Sequence, residues 1–248
     1  MDTKETPRRE FLKKGGCGLM VLLLPGLARG GDGDENGSDY DATDHRYAYV
    51  IDTRKCIGCG LCVQACSREN DVPDGKYRTW VERYSVADSG HTEIDSPDGA
   101  IAGFDVTTSK ADLSFFVPKL CNHCQNTPCT QVCPVGASYT TKEGVVMVDP
   151  DHCIGCGYCV EACPYGSRFL HPETHTASKC TLCYHRITRG LKPMCVQICP
   201  TGARSFGDLE EPGSEILEFL RAQRTMVLKP ELLTRPSIQY LGLSKEVT

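Results

Sequence analysis

All but one of the 17 cysteines in this 248-residue chain fall into four groups of four, and their spacing restricts the fold more than any other feature. The first group is Cys56, Cys59, Cys62 and Cys66, in CIGCGLCVQAC. The second is Cys121, Cys124, Cys129 and Cys133, in CNHCQNTPCTQVC. The third is Cys153, Cys156, Cys159 and Cys163, in CIGCGYCVEAC, and the fourth is Cys180, Cys183, Cys195 and Cys199. Groups one and three share one spacing, and groups two and four lengthen only the gap before the third cysteine. Three groups continue into a proline: Pro134, Pro164 and Pro200. The sequence is an internal repeat of metal ligands.

Thiolates spaced C-x2-C-x2-C wrap three irons of one cubane with a tight turn of backbone. Small residues permit that turn, and Gly58, Gly60, Gly155 and Gly157 stand where it is needed. Backbone N–H groups in such a loop point at the sulfurs and stabilise their charge. The fourth cysteine opens a helical turn leading away from the loop and ligates a second cubane, as in two-cluster ferredoxins. Cys66 therefore belongs to a different centre from Cys56, Cys59 and Cys62. A disulfide framework fits poorly, because bridges stabilise most when they join distant segments and these thiols are bunched. Zinc could suit C-x2-C-x11-C-x3-C in isolation, but the two C-x2-C-x2-C triplets match the cluster pattern instead.

The sequence resembles the electron-transfer iron–sulfur subunits of the dimethyl-sulfoxide-reductase and polysulfide-reductase type over about residues 45–240. The resemblance implies an α+β fold of two ferredoxin-like dicluster modules holding four [4Fe-4S] clusters. It implies that Cys56, Cys59 and Cys62 share a cluster with Cys199, and Cys180, Cys183 and Cys195 share one with Cys66. Cys121, Cys124 and Cys129 would pair with Cys163, and Cys153, Cys156 and Cys159 with Cys133. Residues 45–66 with 180–207 would form the first module and 115–179 the second. An insertion would fill 67–114, and a helix and extended tail 208–248. The implied function is a non-catalytic relay of single electrons. Its partners would be a quinone- or quinol-active membrane subunit and a molybdopterin catalytic or multihaem cytochrome subunit. The Cys56 centre would face the catalytic partner, the Cys180 centre would come next, and the Cys121 or Cys153 centre would lie toward the membrane. Group one departs from the family pattern only in ending Cys66-Ser67, without proline. A free periplasmic polyferredoxin is the rival reading, and a structural zinc protein a second.

Residues 1–28 have the layout of an export signal: Arg8, Arg9, Lys13 and Lys14 precede the apolar run Leu19–Leu24, then Pro25-Gly26 and Ala28. RREFLK, from Arg8, resembles a twin-arginine signal, which places the protein on the periplasmic side of the membrane. Cys17 precedes the apolar run and reads as part of the signal. Residues 29–44 are glycine-rich and acidic, a linker. No apolar run reaches the length that spans a bilayer. A net charge of −5 gives no electrostatic case for nucleic acid.

Strands are predicted at Tyr47–Asp52 and Val145–Pro150, each running into a group through a shared Asp-x-x-x-Cys approach from Asp52 or Asp149. Arg78–Tyr84 reads as a strand and Ser96–Gly103 as turns. The insertion suits either a cover over a cluster or a docking surface. A short amphipathic helix is predicted within Glu211–Arg224, with Ser214 as cap and Ile216, Leu217 and Leu220 on one face. The tail Leu228–Leu243 is expected to be extended and pinned by apolar residues. His123, His152 and His185 are expected to be outer-shell or surface groups, and Lys179 and Arg186 to offset cluster charge. Neither a nucleophile-and-base set nor a nucleotide loop is present, which argues against chemistry on a bound substrate.

Overall fold

The computed structural model describes residues 40–105 and 112–247. The predicted export signal, Cys17 and the linker up to residue 39 lie outside the described residues.

The strand β1 (Tyr47–Asp52) is rich in aromatic and β-branched residues, which suit a pleated surface. Five of its six residues are buried, so its apolar alternation is weak for a physical reason. Tyr49 and Ile51 face the main core, while Ala48 and Val50 are covered on the other side by a helix. That helix is α6 (Glu215–Ala222). It packs Ile216, Phe219 and Leu220 on β1, an i, i+3, i+4 stripe in which Phe219 replaces the expected Leu217. Ser214 stands at the cap position, but its hydroxyl donates to the Asp208 carbonyl rather than accepting from the helix.

Two distant segments flank β1. Antiparallel to it lies β9 (Arg204–Asp208), with Tyr49 opposite Phe206. On the other edge lies β10 (Ile238–Leu241), parallel, with Tyr49 opposite Ile238. The tail expected only to be extended is thus a sheet strand. Before reaching β1 it runs along the second cysteine loop: Gln125 N–H donates to Arg235 O (3.0 Å), and Ser237 N–H donates to Asn122 O (2.9 Å).

The insertion forms an antiparallel sheet with the start of the following segment, in which β2 (Thr79–Val86) lies between β3 (Thr92–Asp95) and β4 (Leu113–Leu120), so β4 carries the sheet past the expected boundary at residue 114. Pairing of β2 with β4 runs unbroken from Thr79–Leu120 to Val86–Leu113, so the second cysteine group begins as the chain leaves this sheet. Val81, Tyr84, Val117 and Leu120 pack into the main core. Each such full burial contributes about 1.5–3 kcal/mol.

Short hairpins frame groups two and three. One joins β5 (Ser138–Thr140) to β6 (Val146–Val148), and the other joins β7 (Arg168–Leu170) to β8 (Ala177–Lys179). The repeat is visible in the backbone. Asp52 N–H donates to Ala203 O, and Asp149 N–H donates to Ala137 O, both at 2.8 Å. In both, the aspartate side chain accepts N–H bonds from the turn that follows, fixing the approach to the first cysteine.

Candidate metal centres

Each third cysteine sits in the first turn of a helix. These helices are α1 (Leu61–Glu69), α2 (Pro128–Gln131), α3 (Tyr158–Glu161) and α5 (Met194–Gln197); α4 (Tyr184–Ile187) fills the long gap of group four. The fourth cysteine lies within α1 or just past the end of the short helices. This corrects the expectation that it opens the helical turn: four residues of helix advance the chain about 6 Å, carrying the fourth thiol away from its own loop.

Gly58, Gly60, Gly155 and Gly157 all have positive φ, between 68° and 78°. At Gly60 a Cβ would collide with the carbonyl oxygen of Ala100, and at Gly155 with that of His175. The inserted segment therefore presses on the first loop through Ala100, which abuts Gly60, and the ring of Phe116, on β4 just after the insertion, abuts Gly58.

The four groups interleave. Cys66 lines one cavity with Cys180, Cys183 and Cys195. Cys133 lines another with Cys153, Cys156 and Cys159. The Cys56 thiol is pushed up to about 11, first by burial, while nearby Cys62 and Cys199 raise it and the Gly58 N–H and Arg204 lower it. Burial likewise pushes Cys124 up to about 12, with Cys121, Cys129 and Cys163 adding to the effect. Cys180 also reaches about 12, through burial and then Cys195, Cys121 and Cys183. Cys121 and Cys180 thus neighbour each other across groups two and four.

The donor set fits iron–sulfur clusters. Thiols this buried and this crowded resist ionisation unless a cationic centre holds their charge. Donors are already aimed at the sulfurs. Ser138 N–H reaches Cys133 Sγ, Ala177 N–H reaches Cys153 Sγ and Leu182 N–H reaches Cys180 Sγ, each at 3.4 Å. At Cys133, burial works against the thiolate, but N–H groups of Ser138, Val135, Ala137 and Gly136 outweigh it and hold the thiol below its ordinary value. Cys199 is lowered in the same way, by the Thr201 hydroxyl and the N–H groups of Ala203, Arg204 and Thr201 against burial.

A protein-family profile described as a 4Fe-4S dicluster domain matches residues 113–209, and a second of the same description matches residues 55–137. The B subunit of tetrathionate reductase from Salmonella typhimurium is 45% identical over 201 residues, 80% of this chain and 73% of its own length. Protein NrfC of Escherichia coli is 40% identical over 234 residues, 93% of each protein. The B component of polysulfide reductase from Wolinella succinogenes is 39% identical over 197 residues, 78% of this chain and 92% of its own length. This protein belongs to the 4Fe-4S dicluster electron-transfer family. As a member it carries multiple [4Fe-4S] clusters and is an electron-transfer subunit of an oxidoreductase complex, not an enzyme by itself.

Several side chains at the centres of this dicluster subunit are absent from the cysteine motifs. Arg204 is buried and donates to Cys62 Sγ (3.3 Å), Tyr49 Oη (3.1 Å) and Thr79 Oγ1 (2.9 Å). Because Tyr49 accepts from Arg204, its own O–H is left to donate to Cys195 Sγ, 3.2 Å away. Asn70 Nδ2 lies 3.6 Å from Cys66 Sγ and 3.7 Å from Cys183 Sγ, and Arg78 donates to its Oδ1 (3.2 Å), which fixes the amide. Arg168, also buried, donates to Ser138 Oγ (2.8 Å). A sequence signal for the arginines exists: groups three and four both continue Cys-Pro-x-Gly-x-Arg, ending at Arg168 and Arg204.

The other charged candidates have structural partners. His123 is buried, and its Nδ1 accepts from Val146 N–H (3.0 Å). Burial, and then Lys179 and Arg168, push its pKa well below the ordinary value, so it is neutral. His152 pairs with Asp149 (2.7 Å) and His185 with Glu69 (2.8 Å). Lys179 is buried and donates to the carbonyls of Val146 and Cys180. Arg186 holds Glu69, Gln197 and the Lys192 carbonyl. Among the described residues no helix is long and apolar enough to cross a membrane.

Proposed function

We propose that this subunit holds four [4Fe-4S] clusters in a line and relays single electrons between two partners. The ligand sets are Cys56, Cys59, Cys62 with Cys199; Cys180, Cys183, Cys195 with Cys66; Cys121, Cys124, Cys129 with Cys163; and Cys153, Cys156, Cys159 with Cys133. The observation that carries this reading is the interleaving: Cys66 shares a cavity with group four, not with its own loop. When bound, each cluster takes up and returns one electron without opening an iron to substrate. The thiolates and their N–H donors hold the clusters, and burial keeps water from the inner ones.

Proximity of ligands supports an order for the line. The Cys56 centre meets the Cys180 centre through Arg204 and Tyr49. The Cys180 centre meets the Cys121 centre where those two thiols neighbour each other. The Cys121 centre meets the Cys153 centre beside Arg168, whose charge acts on Cys129, Cys121 and Cys159. The Cys56 and Cys153 centres are then the ends. Both end loops reach the surface: Cys59 and Cys156 are the two exposed thiols among the described residues, and Ile57, Ile154 and Tyr158 beside them are about 60% exposed. Such apolar patches suit partners that bring a cofactor close. The Cys56 end would meet a molybdopterin or multihaem partner, and the Cys153 end a quinone-active membrane subunit. Export through the twin-arginine route puts the assembly on the periplasmic side, with clusters inserted before export because free thiols fare poorly in an oxidising compartment.

Iron and acid-labile sulfide analysis of anaerobically purified protein tests the reading. About sixteen of each per chain are expected. Zinc in fourfold stoichiometry would overturn it.

A further inference from the structure

Arg168 and Arg204 occupy the same place in the repeat, five residues after the last cysteine of groups three and four. Both are nearly inaccessible, 4% and 3% exposed. Each guanidinium is anchored by hydroxyls of neighbouring segments, Ser138 for Arg168 and Thr79 and Tyr49 for Arg204. Among the described residues, no carboxylate forms an ion pair with either. Nε and Nη1 of Arg168 have no hydrogen-bond partner among the described residues.

A buried cation without a counter-anion is costly and needs negative charge close by. The groups placed to supply that charge are thiolates. Arg204 touches Cys62 directly and Cys195 through Tyr49, thiols of two different ligand sets. Arg168 is held on Ser138, whose own N–H reaches Cys133 Sγ (3.4 Å) of one set, and its charge acts on Cys159 of that set and on Cys129 and Cys121 of the other. Each arginine therefore stands in the gap between two centres of one module.

We propose that Arg204 and Arg168 are potential-setting residues, each a permanent positive charge lodged between two clusters of a module. The inference rests on the ligand sets proposed above. Reducing one centre adds negative charge beside its neighbour and makes the neighbour harder to reduce. A fixed cation in the gap favours the reduced state of both. It thereby keeps both potentials high. Arginine suits the role because its charge does not titrate in proteins. Since both cations are buried, salt should screen the effect little.

The test uses the full-length protein, purified anaerobically, in the variants Arg204→Gln, Arg204→Lys, Arg168→Gln and Arg168→Lys. Iron and sulfide content is measured first; a wild-type content below about sixteen irons would indict the ligand sets and not the arginines. Redox titration followed by electron paramagnetic resonance then reads the potentials. Arg204→Gln should lower the potentials of the Cys56 and Cys180 centres and leave the other two in place. Arg168→Gln should lower only the Cys121 and Cys153 centres. Both lysine variants should stay near wild type, and the shifts should persist in high salt. Three outcomes would overturn the proposal: unchanged potentials in the glutamine variants, equal shifts for lysine and glutamine, or a shift of all four centres together. Loss of clusters from both glutamine variants would also overturn it, assigning the arginines to assembly instead.

Discussion

Gly155 and Gly157 share the third cysteine loop, and replacing each by alanine separates two costs that glycine avoids. Both have positive φ, +68° and +78°, so either alanine bears the left-handed penalty of about 1–2 kcal/mol. Their surroundings differ. A Cβ at Gly157 meets nothing nearer than Leu170 Cδ1 at 3.9 Å, an ordinary contact. A Cβ at Gly155 collides with the backbone carbonyl of His175, which is tied into its own turn by a 2.9 Å bond to His171. Shifting that turn adds overpacking of about 1–3 kcal/mol. Gly157→Ala should therefore cost about 1–2 kcal/mol and Gly155→Ala about 2–5 kcal/mol. The assay is the rate of visible-absorbance loss in anaerobic guanidinium, as the cluster leaves. If the loop has opened in the transition state, the strain appears almost wholly in that rate. Gly155→Ala should then lose its cluster at least about fivefold faster than Gly157→Ala, since the extra cost is at least about 1 kcal/mol and about 1.4 kcal/mol is a factor of ten. Equal rates, or a faster Gly157→Ala, would refute the contribution of the His175 carbonyl.

Three further outcomes are expected. Tyr240→Phe removes a buried bond to the Pro118 carbonyl (3.0 Å) and should destabilise the fold by about 1–3 kcal/mol, read as a lower midpoint for loss of tertiary circular dichroism. Replacing Arg8 and Arg9 together by lysine should trap folded, cluster-loaded protein inside the cell; undiminished periplasmic protein in fractionated cells would contradict the export route. Ile154→Gln should leave iron content and potentials near wild type but weaken co-purification with the membrane partner; undiminished co-purification would count against docking at the Cys153 end.

The cysteine spacing carries most of the fold because it marks four repeats of one loop-and-helix turn. The Asp-x-x-x-Cys approaches announce two equivalent modules, and the matching bonds of Asp52 and Asp149 are the physical trace of that repeat. The strand role of Ile238–Leu241 is hidden in the sequence for two reasons. It is short, and its partner Tyr49–Asp52 lies nearly 190 residues away, so no local pattern announces the pairing. Helical periodicity does not separate Leu217 from Phe219, because it leaves open which edge of a stripe faces inward. Arg168 and Arg204 are hard to single out because a lone arginine after a motif reads as surface charge. Only its recurrence at the same offset in two groups marks it out. The position of the insertion is not local information either, since Ala100 reaches the first loop from the turn after β3 and Phe116 from the β2–β4 pairing.

The interleaved ligand sets are tested most directly by Cys66→Ala followed by thiol mapping. The folded variant is treated anaerobically with an alkylating reagent, and the labelled cysteines are identified by peptide mass spectrometry. Losing the cluster that Cys66 serves should expose Cys180, Cys183 and Cys195 to labelling, while Cys56, Cys59 and Cys62 stay protected. Labelling of Cys56, Cys59 and Cys62, with group four protected, would show that each cysteine group binds its own centre and would contradict the interleaved line.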